Sequence, residues 1–150
     1  MNKSKLVAIL ACLAITALAW AQDADIEAAK QFLAQYAALE NAYDPALSDL
    51  YADDALIKQR RSMPMGEPRD VMIPASKYKT LLRQNIEMAK AGGDRSTYSD
   101  VTYTREGEFI RIDALRHSEM NKRTTPFSIV IGRSPSGNWL IYEEVSESRM

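Results

Sequence analysis

An acid carried among apolar residues of a β-strand is a latent proton carrier, and Glu143 stands in that position. Trp139, Ile141 and Val145 share its parity along the closing strand. Removed from water, such a carboxyl keeps its proton to higher pH, as acid–base work near neutrality requires. Arg116 has the parity of Ile110, Ile112 and Ala114, at the far end of its own strand. Paired with Glu143 it would lower that carboxyl's pKa and make a structural ion pair instead. Solvated at the strand rim, Glu143 would do neither. Tyr36 and Tyr103 are the phenols best placed to face a pocket, although a buried tyrosine also serves as a packing group with one satisfied O–H. Ala55 and Ile57 bring Gln59 and Arg61 to the same side of the first strand. These alternations predict a pocket lined by Tyr36, Gln59, Tyr103, Arg116 and Glu143 over an apolar floor, opening between the first helix and the sheet.

Other chemistry is weaker. His117 is the single histidine, and Asp113 on the same strand face lies roughly 13 Å away, too far for a dyad. With no cysteine or paired acids beside it, His117 reads as a surface residue and no metal site is expected. Asp53-Asp54 reads as the end of a short helix rather than a metal clamp. The chain has no phosphate-cradling glycine loop, no Gly-x-Ser-x-Gly elbow and no HExxH helix, so no cofactor is expected and no catalytic residue is assigned.

The first residues bear on location. Asn2-Lys3-Ser4-Lys5 is a short basic segment, Leu6 to Leu18 is apolar apart from Thr16, and Ala19-Trp20-Ala21 has a small-x-small pattern. Together they predict a signal peptide cleaved after Ala21, with residues 22–150 forming one domain in the periplasm or outside the cell. The apolar run falls short of the ~20 residues of a spanning helix, so no stable membrane anchor is expected. A lipid-modified Cys12 would leave Leu13 to Trp20 as a greasy tail and is disfavoured. Cys12 is the only cysteine, so cleavage would leave a domain without thiol or disulfide. Losing Lys3 and Lys5 moves the formal charge from −1 to about −3, which gives no electrostatic case for nucleic acid.

The elements that must position the candidate residues follow from periodicity. Ala29, Phe32, Leu33, Tyr36, Leu39 and Tyr43 recur at steps of three and four and predict a helix over 24–43. Asp44-Pro45 restarts a short helix with Leu47, Leu50 and Tyr51 on its buried side. A strand over 55–61, a loop around Met63 to Pro68 and a second strand over 70–73 come next. Pro74 opens a helix over 75–91 that Gly92-Gly93 ends. The alternation then predicts four strands, 96–105, 108–118, 125–133 and 139–146. The class is α+β, with an antiparallel meander folded over helices.

This order, with Leu50-Tyr51-Ala52-Asp53-Asp54-Ala55 and the closing Gly137-Asn138-Trp139-Leu140-Ile141-Tyr142-Glu143-Glu144, resembles the nuclear transport factor 2-like superfamily, which includes SnoaL-like polyketide cyclases and ketosteroid isomerases. The resemblance spans essentially all of residues 22–150. It implies a strongly curved, mainly antiparallel sheet wrapped around helices, with a cone-shaped pocket. It also implies a homodimer through the outer sheet face, where Phe109, Leu115, Val130 and Tyr142 mix with Arg111, Asp113, Ser128 and Glu144, although the same mixture also suits an ordinary solvated sheet face. Three functions fit: a binding domain for a small apolar or amphipathic ligand, a SnoaL-like isomerase, cyclase or dehydratase using a pocket acid, and a protein-interaction or immunity-type module. A buried acid of raised pKa would favour the second, and a cavity filled by its own side chains the third. A superfold hosts many functions, so the ligand is left open.

Overall fold

The computed structural model describes residues 24–62 and 67–149. The expected signal peptide and most of the Met63–Pro68 loop lie outside these residues. Helix α1 covers residues 24–41 and buries the expected stripe of Ala29, Phe32, Leu33 and Tyr36. It ends where Tyr43 takes a positive φ of 56°. Asp44 then caps a 3-10 turn, Pro45–Leu50, its Oδ1 accepting from the Ala46 N–H at 2.9 Å. Pro45 at the first position loses no bond, because that N–H has no partner within the turn.

The chain enters β1 (Tyr51–Ser62) directly from this turn. Asp53 and Asp54 therefore lie on a strand rather than closing a helix, and Asp53 meets Lys79 at 2.7 Å. β2 (Arg69–Pro74) returns antiparallel, and α2 (Ala75–Gly92) follows, stopped by Gly93 in the left-handed conformation at φ 67°. Four long strands complete the molecule: β3 (Ser96–Glu106), β4 (Phe109–Ser118), β5 (Arg123–Arg133) and β6 (Trp139–Arg149). With β1 and β2 they make one six-stranded curved sheet in the order β2-β1-β6-β5-β4-β3. All neighbours are antiparallel except β1 and β6. The α+β expectation holds.

The core lies between the helices and the concave face, where Ile57, Ile110, Ile112, Ile129, Ile131 and Ile141 are fully buried beneath Phe32 and Tyr36. Leu82 of α2 is only half-buried at its edge. Asn41 ties the end of α1 to the sheet, donating to the Ser96 carbonyl at 2.9 Å and accepting from the Ser96 N–H at 2.8 Å.

Two irregularities change which side chains face inward. In β3, Ser99 pairs with Leu115 but Thr102 with Asp113, one residue too many, and Asp100 absorbs it at φ 51°. In β6, Ile141 pairs with Ile131 but Glu143 with Val130, so Tyr142 is the extra residue. Beyond each bulge the alternation is inverted.

Candidate functional site

The bulge at Tyr142 sends Glu143 to the outer face and Glu144 into the interior. Glu143 accepts from Arg111 at 3.2 Å, in a half-exposed cluster with Glu106 and Ser128. It does not reach Arg116, and its expected place in the pocket is corrected. Glu144, expected on the outer face, is 2% exposed. A signal for this was present: Gly132, paired with Leu140, lies on β5 one residue from the slip, and a glycine inside a strand marks a bulge or a close approach. A Cβ on Gly132 would lie 2.5 Å from the Phe109 ring, which in turn packs edge-on to Tyr142. That aromatic pair occupies the outer face where the strand slips.

Three elements converge on Glu144. Tyr51, at the start of β1, donates to its Oε2 at 2.5 Å, and Tyr78 of α2 donates to its Oε1 at 2.7 Å. Tyr36 of α1 lies 3.2 Å from the Tyr51 hydroxyl, extending the chain of hydroxyls. Burial raises the Glu144 pKa above the ordinary carboxylate value, and the hydroxyls of Tyr51, Tyr78 and Ser146 and the Arg116 charge offset only part of that rise. The three phenols are pushed well above 10.0, first by burial and then by the Glu144 charge beside them. They are proton donors rather than phenolates at neutral pH.

Arg116, on β4, pairs with Glu40 of α1, whose other oxygen accepts from Tyr98 at 2.8 Å. Burial opposes the guanidinium charge, but Glu40 and the nearby phenols Tyr98 and Tyr36 outweigh it and raise its pKa. Its Nε is the one buried side-chain polar atom among the described residues that lacks a hydrogen-bond partner, although 37% of the side chain is exposed. Tyr98, directly across from Arg116, reaches the inner face through the β3 bulge. Tyr103 faces α1 near Glu27 and Lys30, away from the cavity. Its expected role as a pocket phenol beside Tyr36 passes to Tyr78.

A cavity of about 210 Å³ lies between α1, α2 and the sheet. Tyr36, Gln59 and Arg116 line it, together with Glu40, Tyr78, Glu144 and Glu147, over Leu47, Leu82, Ile86 and Phe127. Of the five pocket residues expected, Tyr36, Gln59 and Arg116 meet here, and Tyr103 and Glu143 do not. His117 is remote from it, its Nδ1 2.9 Å from the Thr124 hydroxyl across the β4–β5 pair. Among the described residues no group of three or more His, Cys, Asp or Glu can hold a metal ion. The arrangement can hold a small molecule against a preorganised carboxyl, a guanidinium and three aromatic rings.

No family model and no curated protein matches the sequence. Solved structures do match. A nuclear transport factor 2-like protein of unknown function from Pseudomonas putida KT2440 aligns with a TM-score of 0.65 at 13% identity, over 81% of this chain and 84% of its own. A candidate dehydratase of the nuclear transport factor 2-like family from Streptomyces avermitilis gives 0.63 at 13%, over 86% and 99%. A nuclear transport factor 2-like protein with a cystatin-like fold from Novosphingobium aromaticivorans gives 0.56 at 19%, over 97% and 89%. At these identities the likeness is one of architecture, and the chain has the nuclear transport factor 2-like, cystatin-like fold.

Proposed function

We propose that this protein is an exported small-molecule-binding domain whose ligand occupies the cavity between α1, α2 and the sheet. The observation that carries the reading is the cavity itself, about 210 Å³ of space bordered by Glu144 and by Arg116, whose Nε has no hydrogen-bond partner. Polar groups are kept inside a core only where something satisfies them, and spare capacity here points inward to a guest. The volume is below the ~300 Å³ common for drug-sized ligands, which favours a compact molecule. Export rests on the character of residues 1–21. The half-apolar outer face, with Phe109 packed on Tyr142, supports a homodimer.

The test is a fragment screen by ligand-observed NMR on the wild type and on Ala89→Trp, which puts a large ring into the cavity wall. Fragments that bind the first and not the second are cavity ligands. If no fragment behaves this way, the reading fails.

A second reading, acid–base catalysis of a SnoaL-like isomerisation or dehydration, is favoured by one observation: Glu144 is a buried carboxyl of raised pKa held by two phenols. A structurally similar protein is itself a candidate dehydratase. On this reading Glu144→Gln would abolish turnover while sparing ligand binding.

A further inference from the structure

The hydrogen-bond and charge accounts of the cavity differ for its two central groups. Arg116 has an opposite charge in contact, Glu40. Glu144 has none: no ion pair among the described residues includes it. Buried carboxylates are ordinarily matched by a cation, a metal or a proton. The groups facing Glu144 are Tyr36 and Glu40 from α1, Tyr51 from β1, Tyr78 from α2, Arg116 from β4, and Ser146 and Glu147 from β6. The only cation among them is already committed. Counting formal charges, the lining holds Glu40, Glu144 and Glu147 against Arg116.

The phenols make Glu144 adaptable. When it is ionised, Tyr51 and Tyr78 both donate to it and Tyr36 donates to Tyr51. When it is protonated, its O–H can donate to Tyr51, which then turns its own proton to Tyr36. Of the roughly four lone-pair sites of the ionised carboxylate, the hydroxyls of Tyr51, Tyr78 and Ser146 take three, which leaves one for a guest. The walls beside it are aromatic: Tyr36 and Phe127 lie 5.5 Å apart between ring centres, and Tyr78 packs at 5.4 Å on Tyr51 behind the lining. Ring faces attract cations, most strongly where water is excluded.

We propose that the cavity takes a small organic cation, an ammonium group on a short apolar body, with Glu144 as counter-ion and Tyr36, Tyr78 and Phe127 as its walls. The inference rests on the cavity's role as a ligand site and adds the ligand's charge. The spare Nε donor of Arg116 argues for a hydrogen-bond acceptor, but an anion there would meet three carboxylates and only one, already neutralised, guanidinium.

The test is calorimetric titration of the purified protein near pH 7 with three probes of one shape: benzylamine, benzyl alcohol and benzoate. Benzylamine should bind at least tenfold more tightly than benzyl alcohol, and benzoate more weakly than either. In Glu144→Gln the preference for the amine over the alcohol should disappear, and measurable binding of both shows that the cavity is intact. Should that variant fail to fold, the Glu144 carboxyl ¹³C resonance of the wild type must shift with benzylamine and stay still with benzyl alcohol. Binding of the alcohol or of benzoate without a preference for the amine overturns the cation and leaves the ligand site standing. A preference that survives Glu144→Gln overturns it too. No binding of any probe overturns both.

Discussion

Glu40 and Glu143 each pair with an arginine, yet their removal should have different consequences. Glu143→Gln leaves Arg111 bonded to Glu106 and Ser128 on an outer face where Glu143 is 38% exposed, and should cost less than about 1 kcal/mol. Glu40→Gln takes the counter-charge from Arg116 and the charged acceptor from Tyr98 at a site where Glu40 is only 16% exposed. A fully buried pair broken in this way costs about 3–5 kcal/mol, and the 37% exposure of Arg116 reduces the expectation to about 2 kcal/mol. Urea melts of the two variants decide it; equal losses would mean that Glu143 supports the interior after all. At this scale the sequence was legible in kind. Residue types and parity brought Tyr36, Gln59 and Arg116 to the cavity wall, and the adjacent Glu143-Glu144 pair ensured that one acid would point inward. Which of the two was a matter of one bulged residue, and no local preference of either glutamate decides it.

Among the elements, helix and strand positions followed from periodicity to within a few residues, because caps, prolines and glycines act locally. The bulges did not, since a bulge is a compromise between two strands. In β6 the compromise is visible: Tyr142 packs on Phe109 over the bare backbone of Gly132. Gly132→Ala should therefore destabilise the fold by about 1–2 kcal/mol by displacing the Phe109 ring. The same change in a Phe109→Ala background should cost markedly less, because the obstruction is gone. A double-mutant cycle on urea midpoints measures this coupling, and additive losses would show that the ring and the glycine are independent. Helix α2 is tied over the cavity by Tyr78 on Glu144 and by Lys79 on Asp53. The entry of β1 straight from the 3-10 turn explains why Asp53 is free to serve that second tie.

For the whole molecule, the buried acid links folding to pH. The folded state holds the Glu144 proton more tightly than the unfolded chain, where the carboxyl titrates near the ordinary 4.5. The stability that this proton contributes is fully present below that pH and is lost as pH rises through the folded-state value. The stability of the wild type relative to Glu144→Gln should therefore decline from about pH 4.5 upward. Urea melts of both proteins from roughly pH 4 to 8 read the difference, and a flat or rising one would show that burial does not disfavour the carboxylate. Export makes a separate prediction: mass spectrometry of protein recovered from the periplasm or medium should find Gln22 at the N-terminus, and an intact leader or lipidated Cys12 would contradict it. Composition and periodicity by themselves determined the α+β class, the order of elements and the apolar faces, because burying apolar surface at helical or strand spacing is written residue by residue. The curved sheet was implied by the resemblance to the nuclear transport factor 2-like superfamily, and the parallel pairing of β6 beside β1 came only from the tertiary structure. Only the tertiary structure decided that Glu144 rather than Glu143 is the interior acid, that Glu40 rather than Glu143 answers Arg116, and that Tyr51 and Tyr78 supply the donors. Those contacts join residues 66 to 93 positions apart, and the register shifts that align them arise only when whole strands pack against one another.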